Sequence, residues 1–147
     1  MIANVDPNTI VYLNGDYTRL ADAKVSVLDR GFIFGDGIYA VVPAYKGQAF
    51  RMDEHLGRLE RSLKLIGLEV NYTRQDWEKL VLDMLARVSQ GQDCMVYLHV
   101  TRGAAKRDHA FPANTTPTVF CMVTPFERPS VAREKGLTAI SIPDVRW

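Results

Sequence analysis

Residues 29–39 read D-R-G-F-I-F-G-D-G-I-Y, with three glycines in the seven positions from Gly31 to Gly37 and large aromatics between them. Glycine at this density implies a backbone that turns sharply or approaches a neighbour closely, so a loop is expected here. Upstream of it, Lys24–Leu28 (K-V-S-V-L) alternates polar and apolar residues, the period of a half-buried strand. Downstream, Ile38–Tyr45 and Gln48–Arg51 predict a hairpin across Lys46-Gly47. Nearer the N-terminus, Thr9–Leu13 and Tyr17–Leu20 flank Asn14-Gly15-Asp16, whose residues tolerate positive φ, and predict another hairpin.

The pattern then changes to a helical period. Asp53 is the expected N-cap of a helix running to about Ile66, with Gly67 as its C′ residue. Leu56, Leu59, Leu63 and Ile66 form its apolar stripe. Thr73 and Asp76 resemble a capping box, and the helix they open buries Trp77, Leu80, Val81, Met84, Leu85 and Val88 before ending at Gln90-Gly91-Gln92. Cys94–Thr101 and Thr118–Thr124 read as apolar strands joined by a polar loop, Arg102–Thr116. The charged, proline-containing run 125–136 is the expected linker. A last strand, Leu137–Ile142, would open a further unit. These elements predict an α+β domain over 1–124, mostly antiparallel sheet with two helices, a linker over 125–136, and the start of a second domain over 137–147.

Composition narrows the function classes. The chain has 147 residues, 47% hydrophobic and 24% charged, as in an ordinary soluble domain. A formal net charge of +1 supplies no broad field for nucleic acid or an anionic membrane. No run reaches the roughly 18 apolar residues of a membrane span, and M-I-A-N-V-D-P-N is no signal peptide, so a cytoplasmic location is expected. Cys94 and Cys121 sit in apolar runs and are read as buried free thiols. The histidines, His55, His99 and His109, are scattered, and no pair has zinc-ligand spacing. His99, within an apolar strand, reads as a satisfied sheet residue.

Three segments carry polar residues that local structure does not explain. In the glycine-rich stretch ending at Tyr39, the spacing matches neither a dinucleotide fingerprint nor a P-loop. His55, Arg58 and Ser62 share one flank of the first helix, where a guanidinium can bind a phosphate through two parallel bonds. A solvated flank with Glu54 paired to Arg58 or Arg61 accounts for the same residues. Arg107-Asp108-His109 offers a bidentate fork and a tunable donor, a carboxylate receptor, with Asp108 able to orient a neighbour. A charged surface loop is the alternative.

Taken in order, D-R-G-F-I-F-G-D-G-I-Y (29–39), E-H-L-G-R-L (54–59), V-T-R-G-A-A-K-R-D-H-A-F-P (100–112) and I-P-D-V-R-W (142–147) resemble the D-amino-acid aminotransferases, which are fold-type IV enzymes dependent on pyridoxal 5'-phosphate (PLP). The resemblance implies that Arg58 binds the PLP phosphate with His55 in support. It implies that Tyr39 helps hold the substrate carboxylate. Arg107 and His109 match an R-x-H pair that reaches across a homodimer interface to the neighbouring active site. Amino acids such as D-alanine and 2-oxo acids are the implied substrates. Branched-chain aminotransferases and aminodeoxychorismate lyases share the glycine-rich loop and the phosphate arginine but resemble the R-D-H segment less. A fragment that only binds a partner or an anion is the non-enzymatic alternative.

Two positions depart from the family pattern. Ala40 stands where many relatives carry glutamate, which alters the polarity expected near Tyr39, and Pro43 suggests a strand edge or kink. The Schiff-base lysine of the family follows the R-W pair, so it is expected beyond Trp147. Lys24, Lys46, Lys64, Lys79, Lys106 and Lys135 all lie elsewhere. The chain is thus expected to be the N-terminal half of the enzyme, inactive by itself.

Overall fold

The computed structural model describes residues 5–128 and 130–144. The fold is α+β. Its strands are β1 (Ile10–Leu13), β2 (Asp16–Arg19), β3 (Gly37–Tyr45), β4 (Gln48–Ala49), β5 (Cys94–Thr101) and β6 (Thr118–Pro125). They form one antiparallel sheet in the order β2-β1-β6-β5-β3-β4. The helices are α1 (Arg30–Phe34), α2 (Met52–Leu65), α3 (Arg74–Val88) and α4 (Ser130–Lys135).

Alternation along the central strands decides which face is core. Ala40, Val42 and Ala44 of β3, Cys94, Val96, Leu98 and Val100 of β5, and Val119, Cys121 and Val123 of β6 are all buried. Their register aligns them in rows, Ala40 with Leu98 and Leu98 with Cys121, Val42 with Val96 and Val96 with Val123. Onto this face pack Leu56, Leu59 and Leu63 of α2 and Trp77, Leu80, Val81, Met84 and Leu85 of α3. Each large apolar side chain contributes about 1.5–3 kcal/mol on burial. The intervening residues Tyr39, Val41, Tyr97 and His99 point to the other face, opposite α2 and α3.

Local signals govern the ends of the elements. Asn14 and Gly15 both have positive φ, 52° and 109°, and close the first hairpin. Thr73 and Asp76 form a reciprocal capping box. Gly67, at φ 57°, donates to the Lys64 carbonyl while Leu68 donates to the Leu63 carbonyl, a Schellman ending for α2. Pro43 costs the ladder nothing. Its carbonyl accepts from the Phe50 amide on the β4 side, so its missing N–H also faces away from β5. Both cysteines are free and buried, and burial pushes the Cys121 thiol up to about 12.

Several expectations are corrected. Lys24–Leu28 is not a strand. It has no ladder neighbour, Val25, Val27 and Leu28 are exposed, and the Ser26 side chain accepts from the Leu28 amide in a local turn. The glycine-rich stretch is not all loop, because 30–34 is helical. Arg51, not Asp53, caps α2, with left-handed backbone at φ 51° and no side-chain cap bond; Asp53 lies in the first turn, where its charge suits the helix dipole. Within 125–136, Pro125 completes β6 and Ser130–Lys135 is helical. Leu137–Ile142 pairs with no strand among the described residues and is exposed. Val145, Arg146 and Trp147 of the fourth block lie outside the described residues.

Candidate active site

Asp29 and the helix it caps are the foundation of the site. Its carboxylate, buried, accepts from the Gly31 amide at 2.8 Å, the Thr101 hydroxyl at 3.0 Å and the Thr118 hydroxyl at 2.6 Å. One residue therefore caps α1 and ties it to β5 and β6. Gly31 permits this approach, since a Cβ there would lie 2.3 Å from the Thr101 methyl carbon.

Behind α1 lies a buried ion network. Asp36 accepts from Arg30 Nε at 2.7 Å and from Arg102 Nε at 2.9 Å. Both arginines are buried, and Arg102 also donates to the carbonyls of Ile66 at 2.9 Å and Gly67 at 3.1 Å, the end of α2. Burial alone would raise the Asp36 pKa. Hydrogen bonds from Arg102 and Arg30, with their charges, overcome it and hold the carboxyl below the ordinary range.

The third edge of Arg30 reaches the 102–116 loop. Nη1 donates to the carbonyls of Asp108 at 2.7 Å and Ala110 at 3.4 Å. The Phe34 ring lies 5.6 Å from the Arg107 guanidinium and 5.5 Å from the His109 ring, bringing those two exposed side chains together on one platform. Asp108 orients neither neighbour. Its Oδ1 accepts from the Ala110 amide at 3.2 Å and shapes the turn.

Tyr39 shares no hydrogen bond or ring contact with Arg107 or His109 among the described residues and points to the sheet face opposite α2. It is 61% exposed, with its ring stacked on Tyr97 at 5.8 Å. Tyr97 in turn exchanges a 3.1 Å hydrogen bond with His99 Nδ1, so His99 is a satisfied sheet residue, as expected. Ala40 does not alter the polarity around Tyr39, because it points to the opposite face and is fully buried beneath α2.

His55 and Arg58 lie on the flank of α2. Among the described residues Arg58 has no hydrogen bond or ion pair, since Glu54 turns back to Arg51 at 2.9 Å and Glu60 pairs with Arg74 at 2.5 Å. The surface ion pair of Glu54 with Arg58 or Arg61 does not form. Burial, then the Arg58 charge, keeps the His55 pKa below its usual value. The pair thus presents a free guanidinium beside a neutral imidazole, a donor set suited to a phosphate ester. No hydrogen bond or ion pair joins this flank to Tyr39 or to the Arg107–His109 loop among the described residues. The described residues contain no metal-binding cluster and no helix long and apolar enough to cross a membrane.

Comparison with known proteins places this arrangement. The family model for class IV amino-transferases matches residues 37–147. The D-alanine aminotransferase of Staphylococcus epidermidis is 41% identical over 143 residues, 95% of this chain and 49% of the relative. That of Bacillus licheniformis is 36% identical over 137 residues, 93% of this chain and 48% of the relative. The chain spans about half the length of the curated relatives it matches. Among solved structures, the branched-chain amino acid aminotransferase of Escherichia coli superposes with TM-score 0.75 at 20% identity, over 81% of this chain and 41% of that one. The 4-amino-4-deoxychorismate lyase of Pseudomonas aeruginosa gives 0.69 at 24%, over 85% and 43%. These two likenesses are of fold. The matched family segment begins at Gly37, the first residue of β3, and takes in α2, the Arg107–His109 loop and the strands that carry them: this chain belongs to the class IV aminotransferases.

Proposed function

We propose that this chain is the N-terminal half of a PLP-dependent transaminase acting on D-amino acids such as D-alanine and on 2-oxo acids. The observation that carries the reading is that Arg107 and His109, two exposed donors, both lie against the Phe34 ring. A planar guanidinium beside an imidazole matches a carboxylate. Tyr39 contributes a hydroxyl to the same ligand, and Arg58 with His55 holds the cofactor phosphate. PLP, when bound, supplies the electron sink for proton removal at the substrate α-carbon.

The protein residues orient and neutralise. Arg58 offsets the charge of the phosphate and anchors one end of the cofactor. Arg107 and His109 fix the substrate by its carboxylate, which leaves the amino group and the α-proton to be presented to the reacting centre. Tyr39 shares no hydrogen bond or ring contact with Arg107 or His109 among the described residues and points away from the α2-covered core. A homodimer in which the loop of one subunit completes the site of its neighbour would bring Tyr39 and the two donors onto one ligand.

The test is made on the complete gene product. Reading past Trp147 is expected to reveal the Schiff-base lysine shortly afterwards. With PLP, D-alanine should exceed L-leucine as amino donor to 2-oxoglutarate. Preference for L-leucine, or pyruvate release from aminodeoxychorismate, would overturn the D-amino-acid reading. A stop codon after Trp147 would overturn the transaminase itself.

A further inference from the structure

We infer that Arg30 is a positioning residue, which holds the backbone on both sides of His109 and so aims Arg107 and His109 at the substrate carboxylate. The inference rests on the carboxylate reading of those two residues. No ladder supports this part of the chain, because Ala104 makes the last bridge, to Asp29, and strand structure resumes only at Thr118. Across that gap Arg30 is the one side chain outside the loop that hydrogen-bonds its backbone, among the described residues. Arg30 Nη1 donates to the Asp108 carbonyl at 2.7 Å and the Ala110 carbonyl at 3.4 Å.

Arg30 cannot swing away from this task. Its Nε is engaged by Asp36 at 2.7 Å, and its guanidinium lies 4.8 Å from the centre of the same Phe34 ring that Arg107 and His109 approach. Its exposure is 3%, and its donors are taken by Asp36 and the two loop carbonyls, so it does not compete with Arg107 for an anion. A buried arginine with a satisfied carboxylate on one side and two loop carbonyls on the other acts through geometry, not by touching the ligand.

The test uses Arg30→Met in the complete holoenzyme, alone and combined with Arg107→Ala. Methionine keeps an apolar stem, removes every donor, and leaves Asp36 paired one-to-one with Arg102. KM for D-alanine is expected to rise about tenfold, the loss of roughly one charge-assisted hydrogen bond, with kcat changed less than about twofold. Amide exchange at His109 and Ala110 should accelerate by more than the fall in the global unfolding midpoint accounts for. In the Arg107→Ala background the same substitution should add less than about twofold, since its effect passes through the clamp. Arg30→Lys, which retains a donor, should restore part of the KM and serves the same comparison if the methionine variant does not fold.

Equal KM effects in both backgrounds would overturn the positioning role and make Arg30 a general support of the fold. An unchanged KM in the Arg30 variants, with a raised KM in Arg107→Ala, would overturn it while leaving the carboxylate reading intact. An unchanged KM in Arg107→Ala would overturn both.

Discussion

Replacing Arg102 by methionine tests whether the buried network joins the ends of this fold. The substitution keeps an apolar stem against Phe111, whose ring the guanidinium overlies at 4.2 Å. It removes the bonds to Asp36 at 2.9 Å and 3.1 Å and those to the carbonyls of Ile66 and Gly67. Hydrogen bonds to charged groups contribute about 1.5–3 kcal/mol each, but Asp36 keeps Arg30 and the exposed Gly67 end of α2 can rehydrate. The net loss is set at ~3 kcal/mol, a large part of the ~5–15 kcal/mol that holds a domain together. With a urea slope of about 2 kcal/mol per molar, the unfolding midpoint by circular dichroism should fall by roughly 1.5 M. A drop below ~0.3 M would refute the reasoning. The pH dependence follows from Asp36, whose carboxyl is held below its ordinary value in the folded chain. As pH falls below about 4 the unfolded chain takes up the proton first, so the stability tied to Asp36 is complete above that range and drains away beneath it. The gap between parent and variant should therefore narrow in acid.

Two further outcomes are expected. Gly103→Ala forces a side chain onto φ 88° and places its Cβ 1.9 Å from the Thr116 carbonyl oxygen, whereas Gly67→Ala, at φ 57°, meets nothing within 4 Å. Urea unfolding should register about 1 kcal/mol for Gly67→Ala and at least twice that for Gly103→Ala; equal values would show that strain, not the clash, decides. The His55 imidazole, followed by NMR, should titrate below about 6.5, and Arg58→Gln should move it upward, because burial and then the Arg58 charge disfavour its protonated form. A titration unmoved by Arg58→Gln would remove the argument for a coupled pair.

Features with local causes were legible in the residues. The Asn14-Gly15 turn, the Thr73–Asp76 box, the leucine stripe of α2 and the Gly67 ending each depend on a few adjacent side chains. Lys24–Leu28 shows the converse. Alternation suggests a half-buried strand, but a ladder partner decides, and none lies beside it. The site divides the same way. The spacing of Arg107 and His109 put both on one turn of loop, and their common platform, Phe34, is 73 residues away from Arg107. The joint role of Asp29, Arg30, Asp36 and Arg102 is not legible locally because their partners are distant in the chain; Arg102 lies 66 residues beyond Asp36. The one available signal was three charges, Asp29, Arg30 and Asp36, crowded among glycines and aromatics where solvation could not serve them all.

The opposite facing of Tyr39 and Ala40 has a consequence for how such a protein can change. Each central strand carries two interleaved texts, one read by α2 and α3 and one by whatever meets the opposite face. Tyr39, Val41, Tyr97 and His99 belong to the second, while Ala40, Val42, Val96 and Leu98 belong to the first. Substitutions along the odd-numbered positions can therefore reshape that face without disturbing volume along the even ones. Innovation and integrity occupy alternate letters of the same word.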